Sequence, residues 1–296
     1  MWSKDPSFPT LISNHIPSYI HNPLKQLKDF QTRMQKALTQ LHRNKYYDLK
    51  SQQLQARKAL EDVQHALSLK PNDANLQQQE KSAKIHYNKI ISSILDITRQ
   101  QSKMDWIKWG DANTRFFFNK IKQRKLVMYV HELQDDLGQT CLGFDAIANL
   151  LFTFYSSLLG KSSPGKEIDQ QVVNMGPLLS LEQQAQLCCP FTTKDIKEVL
   201  FSIDGIKSPG PDGFNSTFYK ASWEQTGPLV CEAIQQFFKT AQLPPYYGQT
   251  KLVLLPKTSS PTMAREFRPI SCCSTIYKCI AKLLTIRLKP ILPSII

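Results

Sequence analysis

The spacing of apolar residues in the first third of the chain predicts two long amphipathic helices. Leucines and other apolar side chains recur at steps of three and four residues between positions 24 and 68, as they do along one face of a helix. The sequence P-N-D at 71–73 interrupts this pattern, which resumes from residue 74 to residue 103. Two such helices joined by a short break predict an antiparallel helical hairpin, or coiled-coil linker, over residues 24–104.

The segments on either side of this hairpin have less regular patterns. Residues 1–23 are interrupted by four prolines, so we expect an irregular N-terminus there. Residues 105–160 form a connector, in which a basic and aromatic stretch precedes two short strands and then a helix at 144–160. The sequence D-D-L-G at 135–138 is typical of a turn between those strands. Residues 160–174, which include S-S-P-G, indicate a linker.

Residues 165–296 predict a set of helices with a small sheet. Helical spacing occurs at 196–203 and 226–240, whereas Q-T-K-L-V-L-L-P at 249–256 predicts a buried strand. A further helix is predicted at 274–289. On that helix we expect the inward residues to be Ile276, Ile280, Leu283, Leu284 and Leu288, and the outward residues to be Lys278, Lys282 and Arg287. The whole pattern predicts a mainly α fold with small β elements.

The positive charge of the chain is concentrated in two blocks. The net charge is +13 overall, and it divides into +12 for residues 1–125, −6 for residues 126–250 and +7 for residues 251–296. Localised positive charge attracts polyanions such as nucleic acid, because phosphate contacts release counterions. The alternative is a solvated coiled-coil face, and charge alone does not decide between the two.

Cysteine spacing and hydropathy argue against several other classes of protein. The seven cysteines include no C-x-x-C pair and lie far from the histidines, so we expect buried reduced thiols and no metal site. No window approaches the roughly 20 apolar residues that span a bilayer, and the N-terminus has no secretory signal. These features predict an intracellular protein without a membrane partner. The sequence K-I-K-Q-R-K at 120–125 favours the nucleus slightly over the cytoplasm.

Cations are interleaved with aromatic residues in the segment from 105 to 125, which reads D-W-I-K-W-G-D-A-N-T-R-F-F-F-N-K-I-K-Q-R-K. Such interleaving suits base stacking combined with phosphate contact. The aromatic residues fit a hydrophobic anchor between the helical hairpin and the next domain better, whereas the cations fit phosphate contact better. The candidate phosphate contacts are Lys108, Arg115, Lys120, Lys122, Arg124 and Lys125.

Two further motifs lie in the last third of the chain. The sequence G-I-K-S-P-G-P-D-G-F at 205–214 is a sharply turned loop with exposed backbone N–H groups, in which Asp212 is a turn-forming side chain and not a general base. Lys257 ends the predicted strand, and Arg268 follows eleven residues later, where a second strand would return. A β-hairpin would bring Lys257, Arg265 and Arg268 to one tip, where they could hold a triphosphate or a template backbone. The alternative is a set of solvated loop charges.

Taken in order, these motifs resemble the reverse transcriptase of non-LTR retrotransposons, with the plant LINE-like branch nearest. The matching segments are W-x-K-x-G-D-x-N-T-x-F-F from Trp106, K-S-P-G-P-D-G-F from Lys207, L-x-x-x-P-K from Leu252, F-R-P-I-S-C-C-x-x-x-Y-K from Phe267 and R-L-K-P from Arg287. The resemblance covers the chain from residue 24 to its end. It departs from the family at Phe118, where the family usually has His, so no nucleic-acid contact is assigned to that position.

The resemblance implies a role for each motif. Residues 165–296 would form a partial fingers domain of the polymerase, truncated before the palm. Its hairpin, with Lys257 and Arg268 and with Arg265 as an assistant, would contact the phosphates of the incoming nucleotide. Its loop would hold template RNA together with the cations of the connector, and the residues implied there are Lys207, Gly210, Asp212 and Gly213.

The resemblance also implies which chemistry belongs elsewhere. In this family two Mg²⁺ ions bind palm aspartates in an F-x-x-D segment and a tyrosine-alanine-Asp-Asp turn, and the match places both motifs beyond Ile296. We therefore expect no catalytic residue and no cofactor in this chain, which would be a fragment that binds RNA and DNA without polymerase or endonuclease activity of its own. A separate polypeptide could supply the palm. The alternative is a non-enzymatic protein that self-associates through a coiled coil at 24–104.

Overall fold

The described residues of the computed structural model form a mainly α protein with two small antiparallel sheets, which confirms the predicted fold class. The chain divides into two compact units, one made of residues 1–16 and 30–124 and the other of residues 17–29 and 125–296. The described residues are 2–102, 119, 121–123, 126, 129–162, 165 and 167–295.

The first unit is built from one short helix and three long ones among its described residues. They are α1 (Phe8–Ser13), α2 (Pro23–Lys45, in this unit from Phe30 onward), α3 (Leu49–Leu69) and α4 (Ala74–Ser102). The single helix predicted over 24–68 is wrong, because the chain leaves helical geometry at residues 46–48. The carboxylate of Asp48 accepts a hydrogen bond from the N–H of Ser51 at 3.2 Å and so caps a new helix. The apolar spacing runs through this break and does not indicate it.

The N-terminal segment is more regular than its prolines predict. A 3-10 turn at Trp2–Lys4 and helix α1 occupy part of the stretch that was expected to be irregular. Pro9 lies in the first turn of α1, where the missing N–H would have no helical partner in any case. Phe8 and Ile12 of this helix are buried.

Helices α3 and α4 form the antiparallel hairpin that the apolar spacing predicts. Leu49, Ala56 and Ile90 are buried in one cluster between them. Partly buried side chains pack around this cluster, namely Tyr46, Tyr87, Ile94 and Ile97. The apolar faces of the two helices therefore pack against each other within the chain.

A buried carboxylate ties the N-terminal segment to the end of α2. Asp5 accepts hydrogen bonds from the N–H and the hydroxyl of Ser7 at 2.9 and 2.6 Å, from Lys45 Nζ at 2.9 Å and from the Tyr46 hydroxyl at 2.8 Å. Burial alone would raise the pKa of Asp5, but these hydrogen bonds outweigh it and hold the pKa well below its usual range. Burial and the Asp5 carboxylate raise the pKa of Tyr46 to about 12.

The second unit contains helices of 4 to 18 residues and both sheets among its described residues. The helices are α5 (Phe144–Gly160), α6 (Gln170–Met175), α7 (Leu181–Cys188), α8 (Thr193–Ser202), α9 (Ser216–Ala221), α10 (Trp223–Thr240), α11 (Pro245–Gly248) and α12 (Thr275–Leu288). The strands are β1 (Glu132–Gln134), β2 (Thr140–Leu142), β3 (Lys251–Pro256) and β4 (Phe267–Cys272). The predicted helix at 144–160 matches α5 at both ends, whereas the predicted linker at 160–174 contains most of α6.

The core of the second unit lies where α8, α10 and α12 pack together. Ile196, Leu200, Ile234 and Ile276 are completely buried there. On α12, Ile280 and Leu283 are also buried as predicted.

Two other expectations for α12 are wrong. Leu284 and Leu288 are each 42% exposed. Lys278 and Arg287, which were expected to be solvated, have partners in the chain. Lys278 Nζ donates to the Ser208 carbonyl at 2.9 Å. The Arg287 guanidinium lies 3.4 Å from the centre of the Phe191 ring and donates to the Leu187 carbonyl at 3.3 Å. The long side chains of these two cations therefore contact protein at positions that a simple amphipathic pattern assigns to solvent.

The first turn of α2 is part of the second unit. The N–H of Leu24 donates to Gln236 Oε1 at 3.0 Å, and its carbonyl accepts from the hydroxyls of Tyr246 and Tyr247 at 3.2 and 3.3 Å. The side chain of Leu24 is buried as well. This docking joins residues more than 200 positions apart and has no local sequence signal. None of the helices in the described part of the chain is long and apolar enough to cross a bilayer.

The Asp5 cluster predicts a pH-dependent stability of the first unit. A carboxyl whose pKa is depressed on folding adds its full stability above the unfolded pKa of about 3.9, and this stability declines as the pH falls below that value toward the depressed pKa of the folded state. We expect Asp5→Asn to lower the free energy of unfolding at pH 7 by about 1–3 kcal/mol and to have a smaller effect at pH 3. Urea unfolding followed by circular dichroism at both pH values measures this.

The matched control is Asp62→Asn, which changes an exposed aspartate of α3. We expect it to leave the unfolding midpoint unchanged at both pH values. An Asp5→Asn effect of equal size at pH 3 and pH 7 would contradict the account, because it would not depend on ionisation of the carboxyl.

Candidate nucleic-acid interface

The predicted β-hairpin is present in the last part of the chain. Strands β3 and β4 are antiparallel, and their register runs from Lys251 opposite Cys272 to Pro256 opposite Phe267. The N–H of Lys257 donates to the Glu266 carbonyl at 2.8 Å and extends the ladder by one residue. Residues 257–268 form the hairpin tip. Strand β3 is half-buried and not buried as predicted, since Leu252 is 39% exposed.

The hairpin tip carries the three cations that the sequence assigns to phosphate binding. Lys257, Arg265 and Arg268 are all exposed. Lys257 Nζ donates to the Arg265 carbonyl at 2.7 Å. Arg268 lies opposite Leu255, and Lys257 follows Leu255 by two residues, so the pleat puts Lys257 and Arg268 on the same face of the hairpin. The three cations are thus brought together, while their role stays a prediction.

The carboxylate of the tip offsets one of its three positive charges and leaves a net charge of about +2. Glu266 is the single acid in residues 251–296. Its Oε2 atom accepts hydrogen bonds from the N–H groups of Thr262 at 2.6 Å and Met263 at 3.2 Å, and these bonds hold the pKa of Glu266 below its usual value. The ion pairs found among the described residues involve other side chains. The tip therefore presents positive charge to solvent.

The connector packs directly behind the hairpin tip. Phe267 is buried in a cluster with Leu133 of β1 and Ile147 of α5. The N–H of Gln134 donates to the Thr262 carbonyl at 2.7 Å. The buried hydroxyl of Tyr155 lies 3.2 Å from the Ala264 carbonyl and 3.1 Å from the Phe267 carbonyl. The sequence contains no local signal for these contacts, because they join residues more than 100 positions apart.

The loop at 205–214 forms a tight turn, and Asp212 is the turn-forming residue that the sequence predicts. The Asp212 carboxylate accepts from the N–H of Phe214 at 3.3 Å, and the N–H of Gly213 donates to the Gly210 carbonyl at 3.1 Å. Gly213 has a φ of +78°, which favours glycine. Burial raises the pKa of Asp212, although the Phe214 N–H and the charges of Lys28 and Lys278 act in the opposite direction.

This loop is docked on the junction between β4 and α12. A Cβ atom on Gly210 would lie 2.4 Å from the N atom of Ser274 and 2.6 Å from the carbonyl carbon of Cys273, so only glycine allows this approach. The hydroxyl of Thr275 donates to the Phe214 carbonyl at 2.8 Å. Of the four residues assigned to template contact, Lys207 and Gly213 are exposed, Asp212 is half-buried and Gly210 is buried. Gly210 therefore contributes to packing, because it lies against the backbone of Cys273 and Ser274.

The basic and aromatic segment lies almost wholly outside the described residues. Lys122 is exposed in helical backbone. The other predicted contacts of this segment fall outside the described part of the chain, namely Lys108, Arg115, Lys120, Arg124 and Lys125. The prediction for them stands as a prediction.

The described residues offer no site for a metal ion. No three histidine, cysteine, aspartate or glutamate side chains come together among them. Asp135 lies in the predicted turn, where its carboxylate accepts from the N–H groups of Leu137 and Gln139 at 2.9 and 2.8 Å. The arrangement does not fit a divalent ion held by the D-D pair at 135–136.

The cysteines are free, as predicted, but not all of them are buried. Burial raises the pKa of Cys231 to about 11 and that of Cys279 to about 12. Cys188 and Cys189 are exposed, which contradicts the expectation of buried thiols at that pair. Cys188 is the last residue of α7 and Cys189 caps its C-terminus, and no residue of this short helix is buried.

The close approach of the loop to β4 predicts a large effect of one methyl group. We expect Gly210→Ala to lower the free energy of unfolding by about 1–3 kcal/mol, because the new Cβ would overlap backbone atoms that cannot move separately. Thermal unfolding followed by circular dichroism measures the change. Gly248→Ala is the control, since a Cβ there meets no atom within 4 Å. Equal melting temperatures for the two variants would contradict the docking.

Comparison with known proteins gives a partial relationship. No family model matches the chain. The chain is 27% identical over 196 residues to a Xenopus laevis protein named Transposon TX1 uncharacterized 149 kDa protein. The matched stretch is 66% of this chain but 15% of the transposon protein, so the chain spans a small part of that relative's length. The similarity supports a transposon-related protein.

Proposed function

We propose that this chain is a segment of a non-LTR retrotransposon reverse transcriptase, of the plant LINE-like kind, and that it binds RNA and DNA through the hairpin tip. The observation that carries the proposal is the grouping of Lys257, Arg265 and Arg268 on one ordered tip whose acid, Glu266, is hydrogen-bonded to backbone. The similarity to a transposon protein and the order of the sequence motifs support the same assignment.

The tip has the donors that phosphate binding needs. The ammonium of Lys257 uses one of its three N–H donors on the Arg265 carbonyl and keeps two for a ligand. Each arginine offers a planar fork that can bind two phosphate oxygens at once. A nucleotide triphosphate or a nucleic-acid backbone presents such oxygens at regular spacing. A neutral ligand would form no ion pairs with the three cations of the tip.

The loop at 205–214 is the second part of the proposed interface. Its packing against β4 and α12 fixes the backbone on which exposed Lys207 is carried. We assign Lys207 and Gly213 to contact with template RNA, and we assign Gly210 and Asp212 to the shape of the loop. We also assign the cations of the connector, including exposed Lys122, to contact with nucleic-acid phosphates.

We assign nucleic-acid binding to this segment and phosphoryl transfer to the complete enzyme. In that enzyme magnesium ions would act with palm aspartates, supplied in the same polypeptide or in a separate one. The residues of this chain would hold the nucleotide phosphates and the template in register. The nucleus, where a retrotransposon meets its chromosomal target, is the compartment that this role favours.

Salt-dependent RNA binding tests the proposal. We expect the purified chain to bind a short labelled single-stranded RNA, and we expect log Kd to rise linearly with log salt by about 0.7 for each phosphate contact. We expect Arg268→Gln to weaken binding roughly three- to tenfold and to reduce this slope, because one phosphate contact is lost. Fluorescence anisotropy between about 50 and 200 mM salt measures both quantities.

The control for Arg268→Gln is Lys239→Gln, which makes the same change of charge at an exposed position of α10. We expect it to leave the affinity and the slope close to those of the unmodified chain. Absence of binding at low salt, or an equal effect of the two substitutions, would overturn the proposed role of the tip.

A further inference from the structure

Four consecutive backbone carbonyls of the hairpin tip, from Ala264 to Phe267, lie within hydrogen-bond distance of donors on Lys257 and Tyr155, and the Ala264 carbonyl also accepts from the N–H of Phe267. Lys257 donates from Nζ to the Arg265 carbonyl at 2.7 Å and from its N–H to the Glu266 carbonyl at 2.8 Å. The Tyr155 hydroxyl lies within hydrogen-bond distance of the carbonyls of Ala264 and Phe267, at 3.2 and 3.1 Å. Since a tyrosine has one hydroxyl proton, it is shared between these two acceptors.

The position of Tyr155 follows from the alternation of the β-ladder. Because the N–H of Lys257 donates to the Glu266 carbonyl, the carbonyl of the next residue, Phe267, points away from β3 toward the outer edge of β4. The Tyr155 hydroxyl meets it there. Tyr155 is 6% exposed, and its burial raises the pKa of the hydroxyl, so the group is a protonated donor at neutral pH. The helix that carries Tyr155, α5, belongs to the connector.

A second contact from the connector holds the other end of the same loop. The N–H of Gln134 in β1 donates to the Thr262 carbonyl at 2.7 Å, and Gln134 pairs with Met263 in a short parallel bridge. Leu133, the neighbour of Gln134, is completely buried in the cluster that contains Phe267. The loop between β3 and β4 is therefore held by β1 on one side and by α5 on the other.

We infer that Tyr155 is a positioning residue for nucleic-acid binding. Through Tyr155, the connector fixes the backbone that carries Arg265 and Arg268 and so controls the affinity of the tip. The inference rests on the proposed function of the tip. A mobile loop would have to be ordered when it binds phosphates, and that entropy cost lowers affinity. By holding the carbonyls on either side of Arg265, Tyr155 removes this cost before the ligand arrives. It contributes to affinity without touching the ligand.

The experiment compares two tyrosine hydroxyls of the same unit in the full chain. Tyr155→Phe removes the hydroxyl at the tip and keeps the ring in the core. Tyr246→Phe removes a hydroxyl that donates to the Leu24 carbonyl at a similar distance, 3.2 Å, away from the tip. The measurements are the Kd for a short single-stranded RNA, the melting temperature and the amide hydrogen exchange of residues 257–267.

We expect Tyr155→Phe to weaken RNA binding about three- to tenfold and to speed amide exchange in residues 257–267. We expect Tyr246→Phe to lower the melting temperature by a similar amount and to leave the Kd for RNA unchanged. In a chain that already carries Arg265→Gln and Arg268→Gln, Tyr155→Phe should have no further effect on the Kd, because the cations it positions are gone.

Three results would overturn the inference. The first is an unchanged RNA affinity of the Tyr155→Phe chain together with a weakened affinity of the Arg268→Gln chain. This result would overturn the inference and leave the proposed function intact. The second is an equal loss of affinity from Tyr155→Phe with and without the two arginines, which would indicate a general effect on folding. The third is an unmodified chain that does not bind RNA, which would overturn the proposed function and this inference together.

Discussion

The hydrogen bonds of Lys257 to two consecutive carbonyls are the constraint on which the hairpin tip depends. Its N–H closes the β-ladder on the Glu266 carbonyl, and its ammonium reaches the next carbonyl along, that of Arg265. The first bond continues the register in which Arg268 shares a face with Lys257, and the second holds the ammonium against the backbone of Arg265. Glu266 binds backbone N–H groups and offsets one of the three cations, so the tip keeps a net positive charge.

The rest of the second unit supports this tip from several sides. Behind it, the buried contact of Phe267 with Leu133 and Ile147 joins the hairpin to the connector. At the far end of β4, the loop at 205–214 packs so closely that Gly210 has no room for a side chain. The hydroxyls of Tyr246 and Tyr247 hold the start of α2. Residues 17–29 and 125–296 consequently form one unit, in which the linker helix begins and the basic hairpin ends.

The features that could be predicted from sequence are those with a local cause. Helix α5 and the hairpin of α3 and α4 follow from apolar spacing, and the turn after β1 follows from the residues at 135–138, where Asp135 bonds to the N–H groups that follow it. The hairpin of β3 and β4 was predicted from one strand and from the position of its cations. Asp212 was correctly identified as a turn former because aspartate bonds to nearby N–H groups in many sequences.

The features that could not be predicted depend on contacts between distant residues. The helix breaks at Asp48 although the apolar spacing continues through this position. The break depends on whether the Asp48 side chain bonds to the backbone, and this local competition with the helix leaves no mark on the apolar spacing. The partners of Lys278 and Arg287 lie 70 to 100 positions away, and no periodicity distinguishes these cations from solvated ones. Tyr155 has an ordinary place on an apolar helix face, and only the fold brings its hydroxyl to the tip.

Lysine acetylation followed by mass spectrometry, with and without bound RNA, tests the central claim most directly, since it reports which ammonium groups the RNA covers. We expect bound RNA to slow the acetylation of Lys257 and Lys207 and to leave the acetylation of exposed Lys239 unchanged. Uniform modification of all three lysines in the RNA complex would contradict it, as would protection confined to the lysines of α3 and α4.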